Sequence, residues 1–283
     1  MSDVRGTDIG SVVSKSVIYF IMAIFAVLAI YPIFWLVIQS FKTTQDYLLN
    51  SKLDFPKKWF FQNYVQSWKR GKFGTLIVNS VFYTGITVSA VIAFGFMAGF
   101  AFSKIPSKAT PFLLGSFVIG ILLTLQSVMV PLFLMVNAAG LYNTRLGVLI
   151  PYIGIGLPMG VYLATEYIRS IPDALVESAR IDGAKYIKIF SSIIVPMAAP
   201  VAVTVAIMTV TGTWNEFMLI NILASSDKIK SIPVGIARFS GALASDYGKQ
   251  FAALVIGLIP MLIFYVLFRK QITKGVAAGA VKG

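Results

Sequence analysis

The chain has 283 residues, of which 57% are hydrophobic and only 12% charged. A soluble domain carries about 25% charged residues, so a water-facing globular domain is excluded and one membrane domain is expected. With no cysteine and no histidine, disulfides, thiol catalysis, Cys/His metal sites and histidine as a proton carrier are excluded as well. The formal net charge of +13 suits anionic lipid headgroups better than nucleic acid in a chain this apolar.

A helix needs about 20 apolar residues to cross a hydrocarbon core about 30 Å thick. Six runs meet or approach that length. Residues 17–38 form the first, uncharged and longer than a signal-peptide core of about 7–15 residues, so it is expected to stay as an anchor. Uncharged runs follow at 75–102, 111–140, 146–165, 189–215 and 251–268. The expected fold is all-α and polytopic, with six transmembrane helices. The expected layout is an N-terminal segment 1–16, a membrane domain 17–272 and a tail 273–283.

Prolines recur inside these runs, at Pro32, Pro131, Pro151, Pro158, Pro196, Pro200 and Pro260. Inside a membrane, neighbouring helices can satisfy the backbone groups that proline frees. Gly95 and Gly99 form a G-x-x-x-G, expected to serve close helix packing rather than a substrate site. The polar groups Gln126, Asn137 and Thr213 lie within runs; each could meet a solute or simply join helices.

The connections are 41–74, 103–110, 141–145, 166–188 and 222–250. Six spans put both termini on one side. The basic residues divide evenly between the two sides, so the positive-inside rule does not orient the chain. The first connection carries Trp59, Phe60, Phe61, Tyr64 and Trp68, expected to lie as an interfacial element on the membrane. Glu216 follows an uncharged run. It is either an intramembrane site or a group solvated or hydrogen-bonded at the helix end near Trp214. Trp214 itself reads as an interface anchor, and Asn215 as part of an outer gate.

The fourth connection is the most informative. Ser170 or Ile171 is expected to cap a short helix, with Pro172 in its first turn and Asp173 complementing the positive helix end. Gly183 suits a left-handed stop, and a second helix starts near Ala184. Leu175, Val176, Ala179 and Ile181 offer a small apolar surface. Glu177, Arg180 and Asp182 supply the charge. Taken alone, these residues favour a solvated amphipathic loop helix.

Glu177-Ser178-Ala179, then Gly183, then Ile194-Val195-Pro196, resembles the E-A-A loop of bacterial ABC importer permeases; only Ser178 departs from the pattern, where it has Ala. Further motifs are similar to those of the carbohydrate-uptake, maltose-type branch, and of its shorter six-span subunit. They are Asn63-Tyr64 with Trp68, Asn79-Ser80, Ala98-Gly99-Phe100-Ala101-Phe102, Gly140-Leu141-Tyr142-Asn143-Thr144, Trp214-Asn215-Glu216-Phe217 and the glycine-rich tail. The resemblance implies a type I importer permease in the bacterial inner membrane. Such a chain pairs with a second permease, two ATP-binding subunits and an external solute-binding protein. It implies that Glu177, Ser178, Ala179, Arg180, Asp182 and Gly183 contact the ATPase. On the same grounds Gly279, Lys282 and Gly283 belong to a tail that reaches toward it. Trp214, Asn215 and Glu216 would shape the outer path. Loop 166–188 and both termini would be cytoplasmic.

The chain has no G-x-x-x-x-G-K-[ST], so it lacks a phosphate-cradling loop. No metal and no cofactor is expected on it; ATP and Mg would sit on the partner subunits. The competing readings are an ion-coupled secondary transporter, which would need intramembrane charges, a membrane-embedded enzyme, which would need a clustered acid, base or nucleophile, and a passive scaffold.

Overall fold

In hydrocarbon every backbone N–H and C=O must be satisfied within the chain, so apolar runs of this length become helices. The computed structural model describes residues 9–239 and 246–280, and among them no strand occurs. The helices are, in order, α1 Ile9–Gln39, α2 Thr44–Leu49, α3 Gln62–Gly71, α4 Phe73–Lys104, α5 Thr110–Leu122, α6 Leu125–Ala138, α7 Arg145–Arg169 and α8 Asp173–Ile181. They continue with α9 Tyr186–Met197, α10 Ala199–Asn215, α11 Met218–Leu223, α12 Ile232–Ala237 and α13 Tyr247–Ala280. Of the expected tail contacts, Gly279 falls in α13, whereas Lys282 and Gly283 lie outside the described residues.

Four helices, α1, α4, α7 and α13, are long and apolar enough to span a membrane unbroken. The other two expected spans are not single rods. The 111–140 run breaks into α5 and α6, bent by 107°, and the 189–215 run into α9 and α10, bent by 74°. Counting each bent pair as one span gives six. Leu123 and Thr124 adopt extended backbone at the first break (ψ 121° and 144°), with no proline there to announce it. The second break has a chemical cause. Pro196 and Pro200 each remove a helix donor. The Val195 N–H bonds to the Phe190 carbonyl five residues back, making a π turn over Phe190–Ile194.

The described residues divide into two compact units. In the first, Met1–Gly71 with Phe239–Ile256, the chain after α1 is folded back by buried polar bonds. Asn63 Nδ2 donates to the carbonyls of Ser40 (2.9 Å) and Lys42 (2.8 Å). The Tyr64 hydroxyl meets Ser40 Oγ at 2.6 Å. Gly248 lies so close that a Cβ would sit 2.2 Å from the Lys42 oxygen. Trp59, Phe61 and Trp68 of this unit are exposed.

The second unit, Lys72–Arg238 with Gly257–Gly283, is organised by α4 against α7. Gly95 and Gly99 let the two backbones touch. A Cβ on Gly95 would lie 3.1 Å from the Gly160 carbonyl carbon, and one on Gly99 only 2.8 Å from the Ala164 Cβ. From the other side, a Cβ on Gly156 or Gly160 would strike the Val91 methyls at 2.8 and 2.7 Å. Glycines on both helices thus admit the partner's backbone or side chain, the close packing expected where lipid supplies no hydrophobic drive between helices. Around it Val91, Phe96, Phe100, Ala164, Ile168, Ile194 and Val205 form one apolar core.

Gly99→Leu should therefore weaken the chain by about 1–3 kcal/mol or more through overpacking. Gly85→Ala in the same helix, where nothing lies within 4 Å of the added carbon, should be neutral. Thermal unfolding of the detergent-purified protein, compared between the two variants, checks this.

Candidate functional site

The loop helix α8 lies at the joint between α7 and α9. Its N-cap is Pro172, whose extended backbone (φ −57°, ψ 131°) leaves Asp173 as the first helical residue. Pro172 thus stands one position before the first turn in which its sequence context places it. Ser170 does not cap α8 either; its hydroxyl donates to the Tyr167 carbonyl (2.7 Å) and so closes α7. Gly183 ends the helix as expected. Its φ is +79°, and the N–H groups of Gly183 and Ala184 bond the carbonyls of Arg180 (3.0 Å) and Ala179 (2.9 Å). That pair of bonds is a Schellman stop. The next helix starts at Tyr186, two residues later than expected, because Lys185 is still extended (ψ 156°).

One side of α8 is fastened to the second unit. Val176 is buried, Ala179 is half-buried, and both join Ile171, Ile168, Phe100 and Ile189 in the apolar core. Burying a valine side chain is worth about 1.5–3 kcal/mol. The opposite side is open: Glu177, Ser178, Arg180, Asp182 and Gly183 are all exposed. Two large aliphatic side chains stand among them, Ile181 at 86% exposure and Ile187 at 82%. Arg180 lies over the Tyr186 ring, 5.4 Å from its centroid. The six residues expected to make one contact surface therefore do not behave alike, since Ala179 faces inward.

At the end of α10, Glu216 is a structural acceptor. Its carboxylate takes the N–H groups of Leu219 (2.6 Å) and Ile220 (3.0 Å), capping α11, and the Tyr152 hydroxyl of α7 (2.7 Å). This is the hydrogen-bonded alternative among the two sequence readings. Trp214 is only 7% exposed, so it packs inside the unit rather than anchoring an interface. Asn215 is exposed and bonds back to the Thr211 carbonyl (3.0 Å). Glu216, Tyr152, Thr209 and Thr213 line a cleft of about 370 Å³ together with Met159 and Met208. A second, almost wholly apolar cleft of about 720 Å³ lies between α5, α6 and α7. Gln126 and Asn137 are exposed and line neither cleft.

The paired motifs outside the loop turn out to be clamps on residues 222–232. Asn143, at φ 57°, accepts the N–H groups of Ser225 (3.1 Å) and Ser226 (2.9 Å) through Oδ1. Thr144 caps α7 by accepting the Gly147 N–H (3.0 Å). Asn79 donates to the carbonyls of Lys228 (2.8 Å) and Lys230 (3.0 Å), Tyr83 to that of Ile229 (2.8 Å), and Ser80 Oγ accepts the Ile232 N–H (3.0 Å). The same segment carries Asp227, which pairs with Lys72 (3.0 Å) and with Arg238. Among the described residues no group of acids is placed to hold a metal ion.

Residues 92–276 match the family model described as binding-protein-dependent transport system inner membrane component. The chain belongs to that family. It is an inner-membrane permease component of a binding-protein-dependent transporter. It is 31% identical to the trehalose/maltose transport system permease protein MalG of Thermococcus litoralis, over 96% of this chain and 98% of the relative. It is 30% identical to the melibiose/raffinose/stachyose import permease protein MelC of Bacillus subtilis, over 95% and 98%. Its fold is that of a solved bacterial ABC transporter involved in the import of the acidic polysaccharide alginate. The TM-score is 0.77, with 21% identity, over 95% of this chain and 99% of that one.

Two outcomes follow for the permease. Glu216→Ala leaves two N–H groups and a hydroxyl without their acceptor, and should destabilise by about 1–3 kcal/mol. Tyr152→Phe, which keeps both N–H bonds, should cost less in the same thermal unfolding series. The second concerns pH. The hydrogen bond from Lys72, aided by Arg238, holds the Asp227 carboxyl below the usual carboxylate range. Its pKa is lower folded than unfolded, so its stabilising contribution is present above the ordinary carboxylate pKa and is lost as pH falls through the folded value. The gap in unfolding temperature between the unaltered permease and Asp227→Asn should be present at neutral pH and close in acid below that range.

Proposed function

We propose that this permease is the six-span subunit of a sugar importer and that α8 is its docking helix for an ATP-binding subunit. The observation that carries the reading is the two-sided character of α8. It is pinned to the bundle through Val176 and Ala179, while Glu177, Arg180, Ile181, the C-cap Asp182 and, at the start of α9, Ile187 are exposed. Ile181 and Ile187 leave apolar surface beside these charges for a partner subunit to cover. The spacing from Glu177 to Gly183 is that of the E-A-A loop.

In this reading loop 166–188 and both termini are cytoplasmic, a second permease completes the translocation path, and ATP and Mg are bound by two partner subunits. The external binding protein delivers solute at the opposite mouth, where residues 222–232 are clamped. A sugar cargo is supported by the relatives, which are named for trehalose and maltose and for melibiose, raffinose and stachyose. ATP and the loaded binding protein would bias an equilibrium between two arrangements of the path.

Replacing Glu177 by Lys should leave membrane insertion intact and reduce co-purification of the ATPase by about tenfold, equivalent to 1.4 kcal/mol. Gly183→Val forces a branched residue to φ +79°, a strain of about 1–2 kcal/mol, and should loosen the same contact. Normal ATPase association and normal uptake in both variants would overturn the docking assignment.

A further inference from the structure

The last residue of α4 is a lysine whose charge is buried. The Lys104 side chain is 2% exposed, yet its ammonium reaches the Ile171 carbonyl (2.5 Å) and Asp173 Oδ1 (2.6 Å), the latter on a side chain that is 76% exposed. Ile171 is the last residue before the Pro172 cap and Asp173 is the first residue of α8. One cation therefore joins the end of a membrane helix to the start of the loop helix, 67 and 69 residues further along the chain.

From this geometry we infer that Lys104 is the positioning residue that locks α8 to α4, so that the two move as one body when the ATPase closes. The inference rests on the docking role assigned to α8 above. Three physical points carry it. First, the apolar contact of Val176 and Ile171 with the core is non-directional and by itself permits sliding, whereas two charge-assisted bonds to consecutive features of the helix start fix both position and rotation. Second, an ammonium this buried is costly unless its partners stay in place, so any slip of α8 relative to α4 is penalised in proportion to the bonds it breaks. Third, Asp173 and Glu177 are four residues apart and lie on one helix face. Both line a groove of about 470 Å³ with Lys104, Ser107 and Arg180. A load applied at Glu177 is thus received one helical turn from the pin, and α4 passes it to α7 through the glycine contact.

Lys104 closes α4 and belongs to no part of the E-A-A pattern.

The absence of cysteine allows a direct test by spin labelling. Met97→Cys on α4 and Ala174→Cys on α8, both exposed positions, give one inter-helix distance. It would be measured by pulsed dipolar spectroscopy in the complete transporter, nucleotide-free and trapped with ATP and vanadate. The unaltered lysine and Lys104→Arg should each give one narrow distribution, the same in both states. Lys104→Met should broaden it by about twofold or shift it between states, with the ATPase still co-purifying. Asp173→Ala, at an exposed position, keeps the Ile171 bond and should broaden it less; it carries the test if Lys104→Met does not reach the membrane. An unchanged narrow distribution in Lys104→Met, or in Asp173→Ala where that variant stands alone, overturns the inference. ATPase association in Glu177→Lys is read separately on the Lys104 background, so loss of the docking reading and loss of the lock are distinguishable.

Discussion

The contact between α4 and α7 through Gly95, Gly99, Gly156 and Gly160 is the constraint from which the rest of the second unit is built. Where lipid is as apolar as leucine, helices gain nothing by hiding oily surface from each other and must gain by close van der Waals approach. Four absent side chains provide that approach. Once α4 and α7 are set, each carries polar groups at its ends that organise everything attached to them. Asn79, Ser80 and Tyr83 of α4, with the Asn143-Thr144 pair leading into α7, hold residues 222–232 at one end. At its other end α4 presents Lys104, and α7 runs on through Ser170 into α8.

That arrangement explains why a chain with so little charge spends it where it does. Among the described ion pairs, none joins two membrane helices through their middles. Charge is concentrated where chain segments meet helix ends, and there a directional bond does what apolar packing cannot, fixing register. Glu216 follows the same logic. Its carboxylate is consumed by two backbone N–H groups and a tyrosine hydroxyl, so it ties α10, α11 and α7 together beside a cleft. The 107° bend between α5 and α6 lies at the apolar cleft they share with α7, which Leu123 and Leu125 help to line.

Much of this was readable in the amino-acid order. Runs of uncharged residues announced the spans, the G-x-x-x-G announced a packing face, and Gly183 announced a left-handed stop. Each is a local rule with a short physical range. The errors were of another kind. Pro172 shifted from first turn to cap, and Trp214 turned from presumed interface anchor to interior packing. The first turned on one residue's backbone angles, the second on what packs against the ring. The break at Leu123–Thr124 left no trace in hydropathy, because an extended backbone there is no less apolar than a helical one. Lys104 carries no local signal: a lysine after a membrane helix looks like an interfacial charge, and its two acceptors are far away in sequence.

By itself, then, the sequence determined that the chain is helical, that it crosses a membrane about six times, and that one loop resembles the E-A-A loop of importer permeases. Composition suffices for the helices and the spans, because the bilayer leaves the backbone no other way to satisfy its hydrogen bonds; the loop is singled out only by its resemblance to a family pattern. Only the tertiary structure decided which residues of that loop face outward, that Asn79, Asn143 and Glu216 are clamps, and that the loop helix is pinned to α4 by a buried cation. Those outcomes depend on which distant groups come within about 3 Å of each other. A hydrogen bond depends on that meeting and carries no signature along the chain.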